Sequence, residues 1–176
     1  MTDEPGATAE PELNGALVVL RPVEAGDRET LRAILADPEV RRWWGPEDLE
    51  VAVADLYDND AHGYAILAGG EIVGYVQYAE ENEPDYRHAG IDIFLGPAGR
   101  GRGFGPDAVR TLARYLFEVR GHHRLTIDPS ASNERAIAVY ERVGFRRVGV
   151  MRRYERGQDG EFHDGLLMDM LRGELT

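Results

Sequence analysis

The chain has 176 residues, an ordinary length for one domain able to bury a single core without staples. Its 32 acidic residues against 20 basic ones give a formal net charge of -12, which argues against nucleic acid or anionic membrane as partners and favours cations. There is no cysteine, so disulfides, cysteine-based zinc sites and thiol catalysis are excluded.

Residues 1–12 are polar, acidic and proline-bearing, which predicts a flexible tail preceding a single domain over residues 13–176. The start of the chain lacks the basic and apolar regions of a signal peptide, and no stretch is long and apolar enough to span a bilayer, so a cytoplasmic location is expected. Leu17-Val18-Val19-Leu20 reads as a first strand ended by Pro22. Asp27 can cap a helix whose buried stripe is Leu31, Ile34 and Leu35, stopped at Asp37-Pro38. Residues 40–44 suggest a helical turn broken at Gly45-Pro46, and residues 47–57 a further helix. Residues 63–68 and 71–79 form a hairpin through Gly69-Gly70. A polar loop over 80–88 then leads into the apolar run Gly90 to Gly96.

That run passes through Arg100-Gly101-Arg102-Gly103-Phe104-Gly105-Pro106 into a helix with Val109, Leu112, Ala113, Leu116 and Phe117 at helical spacing. Pro106 suits a first helical turn and Gly121 a stop. The nearly bare glycine turn lets backbone N–H groups approach an anion at the positive end of the helix dipole, and Arg100 and Arg102 add charge. The unit is a phosphate cradle. It is spelled neither as G-x-G-x-x-G, since Pro106 stands where the third glycine belongs, nor as a P-loop, since the chain has no lysine. Residues 125–127 are a short strand, a helix starts near Ser132-Asn133 and ends at Gly144-Phe145, and residues 146–153 and 162–171 close the chain as two strands.

Arg100-x-x-Gly103-x-Gly105 matches the R/Q-x-x-G-x-G/A signature of the GNAT acyltransferase superfamily, and Asn133-x-x-Ala136 through Tyr140 to Gly144-Phe145 resembles its second signature. The resemblance spans residues 17–171. Within it, Gly90-Ile91-Asp92, the Asp128-Pro129-Ser130 segment and Trp43-Trp44-Gly45 resemble aminoglycoside 6′-N-acetyltransferases. The resemblance implies an α/β (α+β) fold with a central mixed, mostly antiparallel sheet, splayed between its middle strands and flanked by about four helices. It implies acetyl-CoA as cofactor, with Ile93, Phe94 and Leu95 pairing with the pantetheine arm. Arg100, Gly101, Arg102, Gly103, Phe104 and Gly105 would hold the pyrophosphate, and Asn133 and Ala136 would contact the cofactor. Tyr140 sits where the family keeps an acid for the departing thiolate, although Ala136, Val139 and Val143 on its helix also suit a core-edge tyrosine.

An amine with a lysine-like pKa of ~10 is mostly ammonium at neutral pH and cannot attack a carbonyl. A carboxylate must place it and accept its proton. Asp92 is the leading candidate, because strand alternation aims it into the gap; a salt bridge or loop cap is its other reading. Asp128 either binds the substrate amine or builds the Asp-Pro turn. With no cysteine, and no serine suitably placed beside a base, direct transfer is expected. Two acidic runs, residues 47–60 and residues 80–85 with Glu83 and Asp85, are expected to flank the acceptor cleft, with Trp43 or Trp44 as a wall for a sugar ring. The acceptor expected is a cationic small molecule, an aminoglycoside first, on a monomer or homodimer without metal. The C-terminal segment, residues 149–165, is more reminiscent of ribosomal-protein N-terminal acetyltransferases, so a protein N-terminus or another small amine is the alternative. A non-catalytic acyl-CoA or drug binder is a third reading. The histidines show no metal-ligand spacing, and His122 and His123 read as solvated turn residues.

Overall fold

The computed structural model describes residues 10–46, 48–58 and 60–176. Residues 1–9 of the expected tail and Glu47 of the first acidic run lie outside the described residues. Gly69 and Gly70 take φ of +59° and +85°, the left-handed pair a two-residue hairpin turn requires. They fold β3 (His62–Ala68) back on β4 (Glu71–Glu81). With β1 (Leu13–Asn14), β2 (Val19–Pro22), β5 (His88–Leu95), β6 (Arg124–Ile127), β7 (Arg146–Arg156) and β8 (Phe162–Leu171), the hairpin builds one sheet ordered β1-β2-β3-β4-β5-β6-β8-β7. All neighbours are antiparallel except β5 and β6.

Among the described residues five α-helices flank the sheet, where about four were expected: α1 (Arg28–Leu35), α2 (Pro38–Trp43), α3 (Leu49–Asp55), α4 (Phe104–Glu118) and α5 (Glu134–Val143). Alternation divides the core. Tyr75 and Phe94 pack with Leu31, Leu35 and Val53 of the N-terminal helices, whereas Val76 and Ile91 pack with Leu112 and Leu116 of α4. Burying each such large aliphatic side chain contributes about 2 kcal/mol. No helix among the described residues is long and apolar enough to cross a membrane.

The feature that makes a site is a failure of pairing. β5 and β6 share two registered pairs, Ala89 with Leu125 and Gly90 with Thr126. Among the described residues β5 has no strand partner on that side beyond Gly90, so the sheet is open from Ile91 to Leu95.

Several local expectations are corrected. Asp27 forms no side-chain cap on α1; its carboxylate takes the Arg21 guanidinium at 2.8 Å and the Glu24 N–H at 2.8 Å. Asp37 is instead the N-cap of α2, with Pro38 in the first turn. The polar loop shortens to residues 82–87, because β4 runs to Glu81 and β5 starts at His88. His122 is not solvated: it is fully buried, with Nε2 2.7 Å from Glu80 Oε1, and Arg120 holds the other Glu80 oxygen at 2.7 Å. Within the expected tail, Glu10 is gripped by the hydroxyls of Tyr64, Tyr78 and Tyr115, each at 2.9 Å.

Candidate active site

Two cavities meet where the sheet opens. The first, about 430 Å³, lies between β5, the α2 tryptophans and the facing turns of α4 and α5, and is lined by Phe94, Leu95, Arg100, Gly101, Gly103 and Gly105. Gly103 is the N-cap of α4 at φ +80°, a conformation a side chain would strain. Nothing lies within 4 Å of where a Cβ on Gly101 would project. The bare turn therefore exposes the N–H groups of the first helical turn, which no helix can satisfy internally. An apolar slot bordered by such a cradle and by an unpaired strand edge fits a pantetheine arm and its pyrophosphate.

The arginines of the cradle behave differently from expectation. Arg100 lines the slot, but its guanidinium is bonded to the Asp37 carboxylate and its Nε donates to the Leu95 carbonyl at 3.2 Å. Arg102 is exposed and outside the lining, reaching toward the Ala98 carbonyl and lying over the Phe104 ring at 5.0 Å. Phe104 itself is a core residue. Arg135 and Arg142 of α5 also line the slot.

The second cavity, about 690 Å³, is lined by Asp55, Gln77, Asp92, Asp128, Tyr154 and Glu155. Trp43, Trp44, Ile93, Asn133, Ala136 and Tyr140 line both cavities and so mark their junction. Asn133 caps α5, its side-chain oxygen accepting the Ala136 N–H at 3.2 Å, which leaves its amide NH₂ free to serve as a donor. Trp44 is fixed edge-on to Phe94 with centroids 4.8 Å apart. The Trp43 indole points to Glu39 and is covered by Arg42 at 4.6 Å.

Asp92 stands in register with Gln77 on β4, whose Nε2 donates to it at 3.3 Å. Burial raises its carboxyl above the ordinary aspartate value; Gln77 opposes that shift and the charge of Asp128 adds to it. Burial likewise raises the Tyr140 phenol, with Asp92 and Asp128 adding to the effect, so it stays protonated across the physiological range. The neighbouring Asp128 carboxylate pushes the Tyr154 phenol up to about 12. Desolvation by its neighbours, followed by the charges of Asp128 and Asp92, raises Glu155.

Glu83 and Asp85 are not part of this arrangement. They lie exposed on the β4–β5 loop, beyond the start of β5, and line neither of these two cavities. Of the described acidic residues in the first run only Asp55 lines the acceptor cavity, while Glu50 pairs with Arg32. His163 bonds to Asp159 at 2.8 Å. Tyr154 and Glu155 arrive through a bulge. β7 carries extra residues between Met151 and Glu155, where Arg153 takes φ +49°. A Cβ on Gly165 would sit 2.9 Å from the Tyr154 ring, so glycine makes room for it.

A family model for the acetyltransferase (GNAT) domain matches residues 18–146. The aminoglycoside N(6′)-acetyltransferase type 1 of Klebsiella pneumoniae is 32% identical over 155 residues, covering 76% of each chain. The spermidine N(1)-acetyltransferase of Escherichia coli K12 is 28% identical, covering 86% of this chain and 84% of its own. The crystal structure of Mycobacterium smegmatis RimJ in complex with CoA-disulfide superimposes with a TM-score of 0.80 at 26% identity, covering 94% of this chain and 88% of the other.

Proposed function

The chain belongs to the GNAT acetyltransferase family and is an acetyl-CoA-dependent N-acetyltransferase; from that premise we propose that it acetylates a primary amine of a polycationic small molecule, foremost the 6′-amine of an aminoglycoside. The observation that carries this is the lining of the acceptor cavity: four carboxylates, Asp55, Asp92, Asp128 and Glu155, beside Trp43 and Trp44. Each hydrogen bond from an ammonium to such a carboxylate contributes roughly 1.5–3 kcal/mol. The indoles add a flat apolar wall for a sugar ring.

Bound acetyl-CoA supplies the acyl group as a thioester. In this reading the cradle glycines Gly101, Gly103 and Gly105 receive its pyrophosphate, the open edge of Ile93, Phe94 and Leu95 receives its arm, and Asn133 and Ala136 border it. Asp128, steadied by Tyr154, binds a cationic group of the acceptor. Asp92 holds the reacting ammonium and takes its proton, freeing the lone pair for attack. Its raised carboxyl brings its basicity closer to the amine's, and each unit of mismatch removed is worth about 1.4 kcal/mol. Tyr140, at the junction and protonated, donates to the leaving sulfur. Aligning the two bound reactants contributes up to roughly 7–11 kcal/mol.

A linear polyamine is the second reading, favoured by the same carboxylates and by the likeness to a spermidine acetyltransferase. Trp44→Ala separates the two. An aminoglycoside acceptor that stacks on the indole loses affinity about tenfold, whereas spermidine, with no ring to stack, is unaffected. Release of free thiol with kanamycin, spermidine or a short peptide tests the class as a whole: equal inertness of both polycations beside a reactive peptide would reject it.

A further inference from the structure

A hydrogen-bond chain runs beneath the acceptor cavity. The fully buried Tyr75 hydroxyl lies 3.0 Å from the Leu56 carbonyl and 3.0 Å from Gln77 Oε1. The other end of that amide, Nε2, lies 3.3 Å from Asp92 Oδ2. A phenol has one proton and donates to one acceptor at a time. Two acceptors around a single buried hydroxyl leave one of them unserved. The hydroxyl cannot swing away, because Gly63 packs so closely that a Cβ there would be 2.3 Å from it.

Two arrangements are open to the chain, and the second also serves the Leu56 carbonyl. With Asp92 ionised, Gln77 Nε2 donates to it and Oε1 accepts the Tyr75 proton. With Asp92 protonated, the amide turns over: Asp92 O–H donates to Oε1, Nε2 donates to the Tyr75 oxygen, and Tyr75 donates to the Leu56 carbonyl. A carboxamide occupies nearly the same space either way. We propose that Gln77 is a positioning residue that reverses its amide as Asp92 gains and loses the acceptor's proton, so that Asp92 is hydrogen-bonded and aimed in both states. The inference rests on Asp92 being the base. The proton balance is simple: an N–H bond of the acceptor breaks, an O–H bond forms on Asp92, and the proton later passes to solvent.

The titratable and charged groups that line the cavity with Asp92 are Asp128 from the end of β6, Tyr140 from α5, Tyr154, Glu155 and Arg156 from β7, and Asp55 from α3. The carboxylates among them disfavour an ionised Asp92, and, with the Asn133 oxygen held by the Ala136 N–H, none of the other lining groups is an amide free to donate in one state and accept in the other. Gln77 is.

The test uses the fact that the chain has two glutamines, Gln77 and Gln158. Gln158 donates to the Gly45 carbonyl at 2.9 Å and accepts from Arg41 at 3.0 Å, and serves as the control. In protein labelled with ¹⁵N at the glutamine side chains, the Gln77 NH₂ resonances should titrate at the midpoint of the acid limb of kcat/KM, with Gln158 flat. The titration should vanish in Asp92→Asn. Gln77→Leu should move the acid limb up by about one pH unit, with acetyl-CoA affinity by calorimetry unchanged. Gln77 resonances that stay flat through that midpoint, or an unmoved limb in Gln77→Leu, would overturn the reversal. Undiminished turnover by Asp92→Asn, with the Gln77 titration present in the unsubstituted protein, would overturn the base assignment alone.

Discussion

Arg100 and Asp37 are bonded guanidinium to carboxylate, joining the phosphate cradle to the N-cap of α2. Asp37 also accepts the N–H groups of Glu39 and Val40 at 3.2 and 3.3 Å, so one carboxylate both starts α2 and ties it to the turn before α4. Trp43 closes that helix and Trp44 follows it. Arg100→Gln should therefore lower unfolding stability by about 1–2 kcal/mol. It should also raise acceptor KM at least as much as acetyl-CoA KM, because the tryptophans lose their anchor. Chemical denaturation and steady-state kinetics check this; a rise confined to acetyl-CoA KM would mean that Arg100 acts on phosphate alone.

Gly103 separates backbone strain from charge. At φ +80°, Gly103→Ala should cost about 1–2 kcal/mol of stability while acetyl-CoA binding weakens modestly. Gly103→Asp carries the same strain and adds a carboxylate against the pyrophosphate, so calorimetry should detect no binding. Equal affinities for the two variants would place the pyrophosphate elsewhere.

Tyr140→Phe removes one hydroxyl at the junction of the two cavities. The variant's kcat should fall roughly 10²-fold with little change in acetyl-CoA affinity. Because burial raises this phenol, it is protonated throughout the neutral range, and the ratio of native to variant kcat should be constant from pH 6 to about pH 9. Stopped-flow transfer rates at fixed acetyl-CoA saturation measure it.

What the sequence made legible was local. The strand, glycine turn and helix from β5 to α4 follow one another without a gap, and alternation alone aims Asp92 off the sheet. Gln77 was invisible because its role comes from register, which sets it opposite Asp92 across the hairpin of β4 and β5. Tyr154 was invisible because the expected strand stops at Arg153, whereas β7 runs on to Arg156 and its bulge at Arg153 brings Tyr154 to the cleft. Charge runs misled for a related reason: Glu83 and Asp85 look like a cation site, yet the loop that carries them leaves the opposite end of β5. The adjacent His122 and His123 look alike in sequence and part company only through packing, which buries the first on Glu80.

Glu80 offers a test of stability rather than activity. The Arg120 hydrogen bond, with His122 assisting, holds its carboxyl down to about 2 against the ordinary 4.5. A folded-state value below the unfolded one stabilises fully above pH ~4.5 and is lost as pH falls toward ~2. Glu80→Gln should thus cost roughly 2–3 kcal/mol at pH 7, and the gap from the native protein should shrink across that acid window. Urea titrations at pH 7 and pH 3 report the gap; an identical gap at both would show that the pair does not couple to protonation.

The measurement closest to the centre of this account is kcat/KM for acetyl transfer to kanamycin, spermidine and an alanine-initiated peptide, by the native protein and by Asp92→Asn. The account predicts kanamycin first, spermidine second and the peptide last, with Asp92→Asn reducing the kanamycin rate by roughly 10²-fold or more. A peptide acetylated faster than either polycation, or kanamycin turnover untouched by Asp92→Asn, would contradict it.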